Sequence, residues 1–199
     1  MIVKKRHLYT IDILNSILPL SSDLTDFLHA KMKFTKYKKG EHISNCGEYC
    51  DKIFVLQKGL VRGYFVSGGK EITTWISCDS ELVTSISGFF RRRASKENIQ
   101  CLEDTSAEYL LYDDLKMGLE LFPEMASLNR VLLEQYYIHA EDRAFLARIP
   151  GALERFRYFN STEQRHLLKR APYKYLASLL GMRPETFSRI LNEFKEEVV

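Results

Sequence analysis

Glu185, Ser188, Arg189 and Asn192 recur at helical spacing within and just past the stretch "LASLLGMRPETFSRIL", Leu176 to Leu191. Residues three and four apart share one face of a helix, so these four make a polar stripe. Arg189 offers two donors to guanine O6 and N7, and Glu185 accepts from a cytosine amino group. Ser188 reaches either a base edge or a phosphate. Arg183 and Thr186 lie on the same approach, and Lys174 on the preceding segment suits a phosphate. The competing reading of the same residues is a surface ion pair between Glu185 and Arg189 at i, i+4, worth about 0.2–0.5 kcal/mol.

A stripe of this kind needs a fixed back. Phe187, Ile190, Leu191 and Phe194 fall at i, i+3, i+4 and i+7 and predict the core-facing side of the same helix. Pro184 fits the first helical position, where its missing N–H costs nothing. Arg183 before it is a poor N-cap. Tyr175, Leu176, Leu179 and Leu180 supply a preceding short helix over 173–180, and Gly181 the sharp turn between the two. That combination predicts a helix-turn-helix, whose second helix enters the major groove by its N-terminal residues. From Arg143 to Val199 there are 11 Lys and Arg against 6 Asp and Glu, a net of +5, so residues 1–142 carry −2 of the chain's +3. Positive charge gathers where a phosphate backbone would lie, which favours double-stranded DNA as partner.

The remaining elements read differently. Residues 10–33 show helical periodicity broken at Pro19. From Phe34 to Tyr112 short β-branched and aromatic runs ("KIFVLQ", "LVRGYFV", "EITTWIS", "SAEYLLY") alternate with turn signals, predicting an antiparallel barrel or jelly roll. "SISGFFRRRASKEN" interrupts the strands as a short helix or loop. Pro123 to Arg148 predicts one long helix ended by the "IPG" at 149–151. Leu128, Val131, Leu132, Gln135, Tyr136, His139, Arg143 and Leu146 trace its seam, with Leu128, Val131, Leu132, Gln135 and Tyr136 as the candidate dimer interface. A helix between two small domains leaves a stripe uncovered, and a second copy of the chain is the usual cover. Short helices over 152–168 back the helix-turn-helix. The expected fold is therefore α+β, divided as a sensor domain over 1–122, a dimerisation helix over 123–148 and a DNA-binding domain over 149–199.

Composition excludes several classes. The chain has 199 residues, 45% of them hydrophobic, enough for a real core, and no apolar run approaches the ~18 residues of a membrane span. "MIVKKRHLYT" lacks the apolar core of a signal peptide, so the expected compartment is the cytoplasm. Cys46, Cys50, Cys78 and Cys101 fit free thiols used for packing, at spacings unlike those of an iron–sulfur site. His7, His29, His42, His139 and His166 show no metal-ligand spacing, which counts against a metal-dependent jelly-roll enzyme. No metal or cofactor is expected.

The order of barrel, long helix and basic helix-turn-helix resembles the CRP/FNR family of bacterial transcription regulators. The resemblance covers nearly the whole chain. It is carried by "YKKGEHISNCGEYCDKIFVLQKGLVRGYFVSGGKEITTWI", with Gly40, Gly47, Gly59 and Gly69 at its turns, and by "PYKYLASLLGMRPETFSR". The latter is similar to the branch with Glu, Ser and Arg at the reading positions, which are Glu185, Ser188 and Arg189 in this chain. The resemblance implies a non-enzymatic homodimer on palindromic DNA, with RNA polymerase as a candidate further partner.

There are departures. Members that bind cyclic AMP hold its phosphate with a Gly-Glu at the start of a loop and an Arg-Ser at its end. In this chain the loop opens at Glu81-Leu82 with no adjacent Gly, and the Arg-Ser place falls on Glu97-Asn98. A glutamate there repels a phosphate, so cyclic AMP is not expected. Arg91, Arg92 and Arg93 are a candidate alternative anion contact or a solvated loop tip. The effector is then an unknown small molecule or none. No cysteine precedes Cys46, unlike the oxygen-sensing branch. Only "NEFKEEVV" follows Leu191, so the β-hairpin wing is expected to be absent or a stub. The alternative to a working regulator is an effector- or partner-binding barrel whose DNA half is vestigial.

Overall fold

A computed structural model describes residues 7–197, with side chains through Phe194. Two short helices open it, α1 (Tyr9–Ile17) and α2 (Ser22–Lys31). Ser21 accepts from the Leu24 N–H and caps α2. The strands follow as β1 (Lys33–Tyr37), β2 (His42–Ser44), β3 (Lys52–Lys58), β4 (Leu60–Ser67), β5 (Lys70–Cys78) and β6 (Leu82–Val83). A helix α3 (Ile86–Arg91) precedes β7 (Asn98–Cys101) and β8 (Thr105–Leu111). Gly68 and Gly69, at φ +57° and +73°, make the two-residue turn between β4 and β5, a turn whose two positions both need positive φ. The C-terminal part holds α4 (Tyr112–Leu121), α5 (Pro123–Leu146), α6 (Ala152–Ser161), a 3-10 helix (Glu163–Lys169), α7 (Tyr173–Leu179) and α8 (Pro184–Glu197).

Strand order is β1-β8-β3-β6 in one sheet and β2-β7-β4-β5 in the other. The expected barrel is thus a pair of sheets, and pairing does not close into a ring among the described residues. The segment at 85–98 holds a short helix, and α8 continues through Glu197, so the residues expected as a wing stub are helical up to that point. Among the described residues no helix is long and apolar enough to cross a membrane.

The chain falls into two compact units, Met1–Val61 with Ser77–Glu134, and Arg62–Ile76 with Gln135–Val199. The β4–β5 hairpin groups with the C-terminal helices, and α5 is shared between the units. Sequence order cannot show the first, because it depends on what the hairpin's side chains touch.

The helical side of the first unit packs around Leu8, Ile11, Leu24, Leu28, Leu110, Met125 and Leu128. One carboxylate organises the start of α1. Glu108 is 1% exposed and accepts from the Tyr9 N–H (3.1 Å), the Thr10 N–H (2.8 Å) and the Thr10 hydroxyl (2.7 Å). Those amides are orphan donors at a helix N-terminus, where negative charge is favoured. A strand in mid-sheet thereby anchors the first helix by a polar contact rather than by packing alone.

Glu108→Ala should therefore strand the two amides and cost about 1–3 kcal/mol, read as a lower urea midpoint with an unchanged slope. An unchanged midpoint would show that the anchor contributes nothing.

Candidate nucleic-acid interface

Phe187 is 0% exposed and Ile190 2%; with Leu191 they fix one side of α8 to the second unit. Phe156 of α6 meets the rings of Phe187 and Phe194 edge-on, at centroid distances of 6.0 and 5.3 Å, and Tyr173 reaches Phe187 at 5.5 Å. Leu176, Ala177 and Leu180 of the α7 end are buried in the same cluster with Phe159 and Leu167. A helix whose apolar stripe is this completely covered has no rotational freedom about its axis. The opposite stripe is set by geometry.

The turn before α8 is built as a Schellman motif. The Met182 N–H donates to the Ala177 carbonyl (2.9 Å) and the Gly181 N–H to the Ser178 carbonyl (3.0 Å), with Gly181 at φ +61°. That pairing requires a left-handed residue after the last helical one, a conformation open to glycine at no steric cost. Pro184 then starts α8, and the Arg183 carbonyl accepts the first helical bond from the Phe187 N–H (3.0 Å). The expected sequence of short helix, glycine turn and longer helix is present.

On the outer stripe Glu185, Arg189 and Asn192 are exposed and Ser188 is half-buried; Arg183 and Lys174 are exposed and Thr186 half-buried. The surface pair expected between Glu185 and Arg189 does not form. Arg189 instead bonds Glu193 one turn further on, at 3.3 Å, with both side chains more than half exposed. An exposed pair of this kind is worth little, so Arg189 is free to exchange that carboxylate for another acceptor at small cost. Lys174 lies with its Nζ 4.6 Å from the Tyr175 ring centroid.

The β4–β5 hairpin backs α7. Arg62, 1% exposed, lies between the rings of Tyr64 (4.0 Å) and Tyr175 of α7 (3.9 Å). Its guanidinium pairs with Glu71. The Thr73 N–H donates to the Ser178 hydroxyl of α7 at 2.9 Å. A cation between two aromatic faces keeps favourable electrostatics out of water, which is how a buried arginine is tolerated here. Nothing in the sequence pattern marks Arg62, since a lone charge in a strand normally points to solvent.

Most of the expected effector residues make local contacts. The Glu81 carbonyl accepts from the Leu56 N–H (3.0 Å) and its carboxylate from the Cys78 thiol (3.5 Å). Leu82 pairs with Val55 across β6 and β3. Arg91 and Arg93 are exposed. Arg92, left-handed at φ 50°, donates to Tyr49 (2.8 Å) and Asp113 (2.9 Å) and lies 4.7 Å from the Tyr112 ring. These contacts tie the end of α3 to Tyr49 and Asp113, with the Arg92 side chain still half exposed. The Glu97 N–H donates to Ser95 (3.2 Å), and Asn98 accepts from the Cys46 N–H (2.9 Å). Among the cysteines, Cys50 and Cys101 are buried while Cys46 is exposed. Burial pushes the Cys101 thiol up to about 11, which suits a packing role.

On α5 the residues of the expected seam differ in exposure. Leu128 is 2% exposed in the first unit's core and Leu146 is 6% exposed, while Val131 and Leu132 are half-buried and Gln135 and Tyr136 exposed. Leu128 thus faces its own chain and has no surface to offer a partner, whereas Gln135 and Tyr136 keep theirs. The opposite face carries Leu133, Tyr137, Ala140 and Ala144, with Ala147 in the turn just past the helix, at alternating spacings of four and three. Leu133 is 43% and Tyr137 71% exposed. A groove of about 330 Å³ runs there between Tyr137, Ala140, Glu141, Ala144, Phe145 and Arg148. The alternating spacing is a coiled-coil signature, obscured in the sequence because three of its five members are alanines.

No protein-family model matches this sequence, and no curated protein matches it. Solved structures do. FixK2 from Bradyrhizobium japonicum superposes with a TM-score of 0.72 at 20% identity, covering 84% of this chain and 86% of that one. A CooA variant from Carboxydothermus hydrogenoformans gives 0.70 at 18%, over 98% and 87%. A protein from Eubacterium rectale described as a transcriptional regulator of the CRP/FNR family gives 0.69 at 18%, over 94% and 88%. The chain has the fold of the CRP/FNR regulators.

Proposed function

We propose that the protein is a sequence-specific DNA-binding transcription regulator that acts as a homodimer on a palindromic operator. The observation that carries this reading is the orientation of α8. Phe187, Ile190 and Leu191 hold its inner side buried, so that Glu185, Ser188 and Arg189 face outward at its N-terminal end. That end of a second helix-turn-helix helix is the part that reaches base edges. The surrounding charge supports it, with a net of +5 over residues 143–199. Arg189 reads a guanine, Glu185 selects against misplaced phosphates and accepts from cytosine, Ser188 and Thr186 add polar contacts, and Arg183 and Lys174 lie on the backbone.

The dimer forms through the outer face of α5, with Leu133, Tyr137, Ala140, Ala144 and Ala147 meeting the same residues of a second copy. Small residues at the centre let two helices approach closely, and Leu and Tyr at one end supply apolar area. This seam replaces the one expected through Leu128.

Binding to duplex DNA should weaken steeply as salt is raised, because phosphate contacts release counterions. Arg189→Ala should cost about 1–3 kcal/mol on a selected operator and relax preference at one guanine per half-site, whereas Lys174→Ala should weaken all sequences alike and reduce the salt slope by about one unit. Competition between operator and random duplexes separates these outcomes. Equal loss on both for Arg189→Ala would make it a backbone contact, and salt-independent or absent binding would remove the reading altogether.

The dimer is tested separately. Leu133→Glu and Tyr137→Glu alter exposed positions, so each should leave the melting temperature of the protomer nearly unchanged while light scattering reports a monomer. A monomeric wild-type protein would overturn the proposed seam.

A further inference from the structure

Arg155 lies at the end of the first turn of α6, a position where positive charge opposes the helix dipole. Its location is explained by what it holds. Nε donates to the Leu180 carbonyl at 2.7 Å and one terminal nitrogen, Nη2, to the Gly181 carbonyl at 3.1 Å. The other, Nη1, donates to the carbonyls of Ile149 (2.7 Å) and Pro150 (3.0 Å). Leu180 and Gly181 form the turn that launches α8, and the Schellman bonds, which use the Ala177 and Ser178 carbonyls, leave theirs to other donors. Ile149 and Pro150 are where α5 gives way to α6. One guanidinium therefore bridges the C-terminal ends of two helices, where a cation is electrostatically favoured.

Only a planar fork of donors reaches both pairs of carbonyls at once; an ammonium reaches one or the other. A second tie fixes α6 against α5, as Tyr158 donates to Asp142 at 2.8 Å. That carboxylate also holds the Tyr158 phenol above its ordinary pKa. With α6 fastened to α5 by Tyr158 and to the turn by Arg155, the direction of α8 is referred to the axis of α5.

We propose that Arg155 is a positioning residue that sets the angle of the recognition helix against the dimer helix, and through it the half-site spacing that the dimer accepts. This rests on the DNA-reading role proposed above. A residue that merely stabilised the fold would lower affinity for every spacing together. A residue that fixes the angle decides how strongly one spacing is preferred, since moving one half-site by a base pair rotates it by roughly a tenth of a turn.

The test uses the full chain and a duplex that the wild-type protein selects from a random pool. From it are made variants with one base pair inserted or removed between half-sites, and variants with one base changed inside a half-site. Wild type should lose about tenfold or more on the spacing change, the scale of a mismatched contact. Arg155→Gln should lose that spacing discrimination while keeping the response to base changes within a half-site. Arg155→Lys, which keeps the charge, should fold as wild type and also lose it. Retained spacing discrimination in either folded variant overturns the proposal, and full retention by lysine would show that charge alone suffices. A second measurement needs no DNA. Hydrogen exchange in the free protein should speed about tenfold at Gly181 and Met182 in Arg155→Gln, with strand β3 unaffected. If the wild-type chain selects no duplex, the DNA reading fails while exchange still decides whether Arg155 holds the turn; unchanged exchange there overturns the proposal.

Discussion

The proposed assembly depends on a single long helix whose middle residues, Leu133 to Ile138, are all exposed. Of the 24 residues of α5, Leu128 and Leu146 near its ends are buried, while all six from Leu133 to Ile138 between them are exposed. Leu128 and Leu146 are held by the packing around each of them, whereas Tyr137 is 71% exposed and lines a groove with Ala140, Glu141, Ala144, Phe145 and Arg148. Hydrophobic area of that extent, at coiled-coil spacing, is stabilised when a matching helix covers it. The proposed dimer follows from this constraint, and with it the two-fold arrangement that would present two copies of α8 to one duplex.

The C-terminal unit meets a stricter requirement, because reading bases demands orientation as well as stability. Three aromatic contacts centred on Phe156 and Phe187 remove rotation of α8 about its axis. The glycine turn removes slack at its start, and Arg155 satisfies the carbonyls that the turn leaves over. The hairpin residue Arg62, between two tyrosines, fastens α7 from the other side. Each device acts on backbone or on an inward face, so the outward residues are left free for a ligand. Arg189 illustrates this, since its partner Glu193 is exposed and weakly held.

The sequence carried the helix-turn-helix almost completely, because periodicity, Pro184 and Gly181 are local signals and the fold obeys them. It also carried the strands, through β-branched runs and paired glycines. It placed Leu128 in the dimer seam, and that residue is buried within its own chain. A helix with two apolar stripes gives the same period from either, and only packing shows that Leu128 is covered by its own chain; the other stripe is harder to see because alanines follow Leu133 and Tyr137. Arg62, Glu108 and Arg155 were out of reach for a related cause. Each is a charged residue whose role comes from long-range partners, and a charge in isolation reads as surface. Arg155 had one faint mark, a cation in the first turn of a helix.

The central claim is that two copies of α8 enter successive major grooves from a dimer joined along the outer face of α5. Hydroxyl-radical footprinting of the full chain on a duplex it selects tests that claim most directly. The account predicts two equal protected patches whose centres lie about 10–10.5 base pairs, one helical turn, apart. A single patch, or uniform weak protection along the duplex, would contradict it.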